Sequence, residues 1–242
     1  MDSLIAEMLN GLAATTQSQP MSNLSAAARV YEALRQRIVS MDLPPDTTLS
    51  RIELAQFYGV SQTPVREALQ KLELDGLVKI FPQSRTVVTK IDLPALYEAH
   101  FLRLAVECEA VRVWAEDPDE MQVNKLHAVL NMQKSLGPVP DDMGLFNSLD
   151  EAFHQILFAG VNQLGLFVLV KSKGGHFARA RRLDLPKEGK IRSIISDHEA
   201  IINAIEANDP EQAQSAMRRH LTGTVARIGV LQTEHPEFFR VA

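Results

Sequence analysis

Four side chains in the second half of the 242-residue chain have types and spacing suited to metal coordination. Asp150 and His154 stand four residues apart in a helical stretch, so both project from one face. His198 falls in the stripe Ile191, Ile194, Ile195, Ile201, Ile202 and Ile205, which turns it inward. His220 falls in a second stripe, Ala213, Ala216, Met217, Thr224 and Ile228, and faces inward too. Three imidazoles and a carboxylate directed into a helical core form a ligand set for a divalent transition metal. The same residues also fit a plainer reading, in which each histidine is a core side chain bonded to a carbonyl or an acid. Arg103 and Glu107 form another i, i+4 pair, and a guanidinium inside a bundle requires an anionic partner. That partner is Glu107, a bound carboxylate, or both in turn. His100, His127, His176 and His235 show no comparable spacing and read as surface or packing residues.

The elements that would position these groups are helices. From Asp92-Leu93-Pro94 onward the spacing predicts a long helix capped by Asp92 and closed before Asp117-Pro118. Further helices are expected over about 120–136, 143–158, 164–182 (weakened by Gly174-Gly175), 187–208 and 210–232. No strand-period segment follows Ile91, so residues 92–242 read as an all-α antiparallel bundle. Residues 25–91 read differently. A helix capped by Ser25 places Val30, Leu34, Ile38 and Met41 on one face and ends before Pro44-Pro45. Two shorter helices, Ile52 to Tyr58 and Gln62 to Leu74, are joined through Gly59-Val60-Ser61. Strands at 77–80 and 86–89 then flank a turn at 81–85. Three helices and a β-hairpin make a winged helix-turn-helix. Val65, Leu69 and Leu72 face its core, leaving Ser61, Gln62, Thr63 and Arg66 at the exposed start of the recognition helix. Residues 1–24 read as a leader, either mobile or a short amphipathic helix over Leu4, Ile5, Met8, Leu9 and Leu12. The fold class is thus mainly α.

Composition narrows the function. The net charge is −5, yet residues 25–90 carry nine Lys/Arg against seven Asp/Glu and form the only net positive third. A dimer would double that footprint. Apolar runs fall far short of the roughly 20 residues of a membrane span. Residues 1–19 carry Asp2 and Glu7 and no basic start, unlike a secretory signal, and the lone Cys108 fits a reducing cytoplasm.

The stretch LAQFYGVSQTPVREALQKLELDGLV, Leu54 to Val78, closely resembles the GntR family of bacterial transcriptional regulators. The resemblance implies DNA contacts from Ser61, Thr63 and Arg66 and from the wing tip at Gln83, Ser84 and Arg85. Gln62 stands where the family usually has arginine, which should alter the operator read without abolishing binding. Ile52 falls near the family's polar reader in the preceding helix, with Arg51 beside it as a substitute contact. Residues 92–225 resemble the effector-binding domain of the FadR subfamily. They carry Arg103/Glu107, Asp150/Phe153-His154/Leu157 with Asn162, His198/Ile201/Ala204-Ile205 and Ala213/Met217/His220. In its metal-binding branch the corresponding Asp and three His hold zinc, nickel or manganese, and small organic acids bind beside them. The resemblance therefore implies Asp150, His154, His198 and His220 as metal ligands, with Arg103 and Asn162 as effector contacts.

The expectation is a cytoplasmic, homodimeric regulator, a repressor on a palindromic operator, controlled by a small carboxylate. The linkage Lys90 to Pro94 is too short for independent domains, so a shift in the bundle should move the wings. Two alternatives are a sensor in which the metal itself is the signal and a metal-dependent hydrolase. The hydrolase lacks a separate inward carboxylate placed as general base.

Overall fold

The computed structural model describes residues 24–82, 85–140, 142–187 and 189–241; the leader expected over residues 1–24 lies almost wholly outside them. Helix α1 (Ala26–Val39) opens at Ser25, whose hydroxyl accepts from the Ala28 amide at 3.2 Å. It buries Val30, Leu34 and Ile38 against α3. Met41, expected on the same face, lies past the helix end with φ 68°. It packs instead against the cluster formed by Ile91 of the linker with Leu96 and Phe177 of the second domain. Helix α2 (Arg51–Tyr58) ends at Gly59, whose φ of 62° suits a residue without Cβ, and α3 (Gln62–Leu74) follows. Val65, Leu69 and Leu72 are at most 1% exposed, as the pattern required. Strands β2 (Val78–Ile80) and β3 (Thr86–Val88) form the wing. A strand not foreseen, β1 (Thr48–Leu49), pairs with the other side of β3, giving the order β1-β3-β2. Two residues are too few to show a period of two.

The second domain is helical throughout its described residues: α4 (Leu93–Trp114), α5 (Glu120–Ser135), α6 (Met143–Gly160), α7 (Leu164–Lys173), α8 (Gly175–Asp184), α9 (Lys190–Glu206), α10 (Pro210–Val225) and α11 (Ile228–Glu234). Asp92, Asp119, Asp142 and Asp209 each cap the helix that follows by accepting a main-chain amide. The stretch expected as one weakened helix over 164–182 is two helices, and the one expected over 210–232 breaks after Val225. The main core joins α4, α5, α6, α9 and α10 through residues such as Val111, Trp114, Phe153, Ile201 and Met217. Gly160 lets α6 end against Trp114, because a Cβ there would stand 2.4 Å from the indole Cε2. Among the described residues no helix is long and apolar enough to cross a membrane.

The two domains meet across a continuous joint. The Ile91 amide donates to the Phe238 carbonyl at 2.8 Å, and the Arg240 amide donates to the Ile91 carbonyl at 3.0 Å. The chain's last described residues thereby flank the linker. Arg35 of α1 donates to the Lys171 carbonyl at the end of α7. Gly175 lies so close to Leu77 that a Cβ would meet Cδ2 at 2.7 Å.

Candidate metal and effector site

Helices α6, α9 and α10 bring Asp150, His154, His198 and His220 together. One ligand atom from each residue lies within 4.8 Å of the others. His154 Nε2 is 3.7 Å from Asp150 Oδ2, His198 Nε2 is 3.6 Å from Asp150 Oδ1, and the Nε2 atoms of His154 and His220 are 3.2 Å apart. Bonds of about 2.0–2.2 Å to one ion place neighbouring donors roughly 3–3.5 Å apart, so the cluster needs only small adjustments to coordinate. Buried polar atoms rarely lack partners, yet His198 Nε2 and Asp150 Oδ1 are buried without a hydrogen bond. A cation between these two atoms would satisfy both, although Arg181 already faces Asp150 as an ion pair, and the residues fit a divalent transition metal.

The surrounding groups aim the rings. Glu107 Oε2 lies 2.6 Å from His154 Nδ1, and Gln133 Oε1 lies 2.8 Å from His198 Nδ1. Gln133 holds a proton on His198 Nδ1 and leaves that ring's Nε2 lone pair toward the cluster, while Glu107 approaches His154 at angles that do not make a hydrogen bond. Phe153 stacks on the His198 imidazole with centroids 3.7 Å apart, fixing the ring plane. Asp197 Oδ2 stands 4.0 Å from His220 Nδ1. Burial depresses the His198 pKa to about 3, against the pull of Asp150. Burial, then His198 and His154, holds His220 well below its usual value. Asp150 and Glu107 are lowered as well, which for a carboxyl favours the charged form. Burial alone would raise both, but Arg181 and the histidines hold Asp150 below its normal range, and Arg103 with His154 brings Glu107 down to about 2. Neutral His198 and His220 beside an ionised Asp150 are in the protonation states a metal requires.

Two guanidinium groups flank the cluster. Arg103 donates to Glu107 Oε1 at 2.6 Å, and its Nη2 lies 3.2 Å from His154 Nε2. Arg181, which the sequence reading missed, places Nη2 2.7 Å from Asp150 Oδ1, as an ion pair whose angles do not make a hydrogen bond. Asn162, expected beside an effector, is exposed and adopts φ 56° in the turn between α6 and α7. It lies eight residues, or about 12 Å of helical rise, beyond His154, so its evident part is in the turn. Of the other histidines, His127 pairs with Glu206 at 2.7 Å near the surface, while His176 is buried in the joint between the domains.

On the winged domain, Arg51, Ser61, Gln62, Thr63 and Arg66 are all exposed. Ser61 occupies the N-cap of α3 but makes no side-chain capping bond, so its hydroxyl is not committed to the helix. Gln83 and Ser84 at the wing tip lie outside the described residues. Arg85 is exposed, with its guanidinium 5.4 Å from the Phe81 ring centroid.

The FCD domain family matches residues 95–223, and the bacterial regulatory proteins of the gntR family match residues 26–88. The chain belongs to the GntR family, with an FCD domain. It is 35% identical over 210 residues to an uncharacterized HTH-type transcriptional regulator in an unstable DNA locus of Streptomyces ambofaciens, covering 87% of this chain and 88% of that one. It is 27% identical over 225 residues to the HTH-type transcriptional repressor RspR of Escherichia coli, covering 93% and 98%. Among solved structures, E. coli McbR/YncC shares the fold with a TM-score of 0.73 at 20% identity, covering 88% of this chain and 99% of that one. This GntR protein is therefore a transcriptional regulator and not an enzyme, which removes the hydrolase alternative.

Sequence reasoning on this GntR chain found the four cluster residues and Arg103 but not Arg181, Gln133 or Asp197. Arg179, Arg181 and Arg182 stand side by side in one short helix. Periodicity gives them different directions, but only tertiary packing shows which one meets Asp150.

Proposed function

We propose that this regulator is a homodimeric, cytoplasmic repressor of a palindromic operator, released or tightened by a small organic acid bound beside a divalent metal. The metal, zinc, nickel or manganese, is held by Asp150, His154, His198 and His220. Ser61, Gln62, Thr63 and Arg66 read the major groove, Arg51 and Arg85 support them on the backbone, and Gln83 and Ser84 complete the wing tip. Two relatives bear the name repressor, RspR of E. coli and NanR of Edwardsiella tarda. The observation that carries the reading is the pairing of the four-ligand cluster with Arg103 and Arg181. When bound, the metal supplies a Lewis-acidic contact for an acid's oxygen. The two guanidinium groups orient the carboxylate, and burial of the cluster keeps water from competing.

The same arginines favour an organic effector over a metal-only signal, since a metal alone needs no added cations beside it. Thermal-shift measurements with added zinc, with chelator, and with a panel of organic acids test the reading. Zinc should raise the melting temperature, and an acid should raise it further only when metal is present. If no acid shifts the midpoint and His154→Ala binds zinc as well as the native protein, the assignment is wrong. Operator affinity that tracks zinc with no acid present would establish the metal-sensor alternative.

A further inference from the structure

Helix α8 touches both the candidate site and the winged domain. His176 and Arg179, three residues apart, share the face toward the linker. The Asp92 amide donates to His176 Nδ1 at 3.0 Å, and Arg179 Nη2 lies 2.8 Å from the same nitrogen. Two donors on Nδ1 put the ring proton on Nε2. That nitrogen faces Gly76, where an added Cβ would stand 3.0 Å away. Arg179 is fully buried and donates through Nη1 to the Thr89 carbonyl at 2.5 Å. Among the described residues no carboxylate forms an ion pair with it. A buried guanidinium bonded only to a carbonyl and an imidazole is a costly arrangement. It stands where the end of the recognition-helix turn, the wing and the linker converge.

The opposite side of α8 reaches the metal cluster. Arg181, two residues and about 200° of helix rotation past Arg179, pairs with Asp150 and approaches Asn147 Oδ1 at 3.3 Å. Phe177 lies under Arg103, whose guanidinium carbon is 5.1 Å from the ring centroid. Both arginines at the site therefore bear on this one helix. Its far end is pinned, because the fully buried Asp184 holds Arg227 at 2.7 Å and Lys190 at 2.8 Å.

We propose that α8 is the relay between the candidate site and the DNA-binding domain, switched by the Asp150–Arg181 pair and read out through His176 and Arg179. The proposal rests on the metal and effector reading above. A divalent ion on Asp150 offsets the negative charge that holds Arg181 and repels the guanidinium, so loading the site weakens the pair. Helix α8, anchored at Asp184, then moves at its N-terminal end. His176 and Arg179 shift against Gly76, Thr89 and Asp92, and the winged domain turns relative to the bundle.

Hydrogen–deuterium exchange on the full-length protein, with zinc chloride as the probe, tests this. In the native protein, saturating zinc should change exchange across residues 86–96 by about fivefold or more, the lower end of coupling between linked sites. Arg179→Met should bind zinc as tightly as the native chain, by competition with a chelating dye, yet lose that response. Arg181→Met should show the zinc-loaded exchange pattern at 86–96 before any zinc is added, and it carries the test if Arg179→Met fails to fold. The relay is overturned if zinc binds the native protein without altering these residues, or if either variant keeps the full native response. Failure of zinc to bind at all would instead reject the metal reading, and the relay with it.

Discussion

Glu107 separates the energetic role of the site from its chemical one, because a single carboxylate faces both Arg103 and His154 at 2.6 Å while only 1% exposed. Replacing it with glutamine keeps the shape and removes the charge. Burial works against the ionised form, yet Arg103 and His154 lower its pKa from 4.5 to about 2. At about 1.4 kcal/mol per unit, this amounts to roughly 3 kcal/mol of stability at neutral pH. For a depressed carboxylate that contribution is complete above pH 4.5 and disappears as pH falls toward 2. Glu107→Gln should therefore lower the melting temperature at pH 7 by roughly 6–12 °C and flatten the acid limb of the stability curve. It should also weaken zinc binding by about 10- to 100-fold, since His154 loses the anion that orients its ring. Calorimetry from pH 2 to 7 and chelator competition at pH 7 give the two numbers. A melting temperature that falls as stated, with zinc affinity unchanged within about twofold, would refute the argument that Glu107 prepares His154 for metal. No change in either would refute the electrostatic reasoning altogether.

Gln133→Leu removes the acceptor from His198 Nδ1 and should cost about tenfold in zinc affinity by the same titration. It should also cost about 1–3 kcal/mol in stability, because the buried His198 Nδ1–H is left without an acceptor. Gly160→Ala drives a methyl into the Trp114 indole and should destabilise by about 1–3 kcal/mol in urea unfolding. Burial, reinforced by Arg179, lowers His176 from 6.5 to about 4, so the folded state binds fewer protons than the unfolded state across that interval. Its contribution is complete above pH 6.5 and is lost as pH falls toward 4, so His176→Gln should reduce the slope of melting temperature against pH there. Arg66→Ala should weaken operator binding and reduce the magnitude of the slope of log affinity against log salt by about 1 if it contacts phosphate, or relax selection at one base pair if it reads guanine.

Local chemistry made much of the fold legible in the sequence. Asp92 caps α4 and Gly59 ends α2 for reasons contained within a few residues, and α3 runs from Gln62 to Leu74 as its apolar spacing predicts. Asp150 and His154 were readable as a pair because helix geometry alone joins them, and His198 because an isoleucine stripe surrounds it. What failed to show was decided by contacts distant in sequence. Strand β1 exists because β3 offers it an edge, and Met41 faces the second domain because α1 ends before it. Asn162 sits among motif residues yet lies exposed in a turn, which spacing along a helix cannot reveal. His176 read only as a surface or packing residue, having no partner spacing; Gly175 allows α8 to press on Leu77 and brings the imidazole into the joint.

The strap formed where Ile91 pairs with Phe238 and Arg240 bears on how such proteins can be recombined. DNA-binding and sensing halves are commonly treated as exchangeable cassettes, to be cut and spliced at the linker. A graft at Ile91 would separate the winged half from the tail that hydrogen-bonds it, and would strand the Thr89 carbonyl and Arg35 without their partners. A working chimera would have to carry α8, the end of α7 and residues 236–240 along with the sensing half, or redesign all three together. The heritable cassette is therefore larger than the domain boundary suggests, and selection acting on either half alone is constrained by the other.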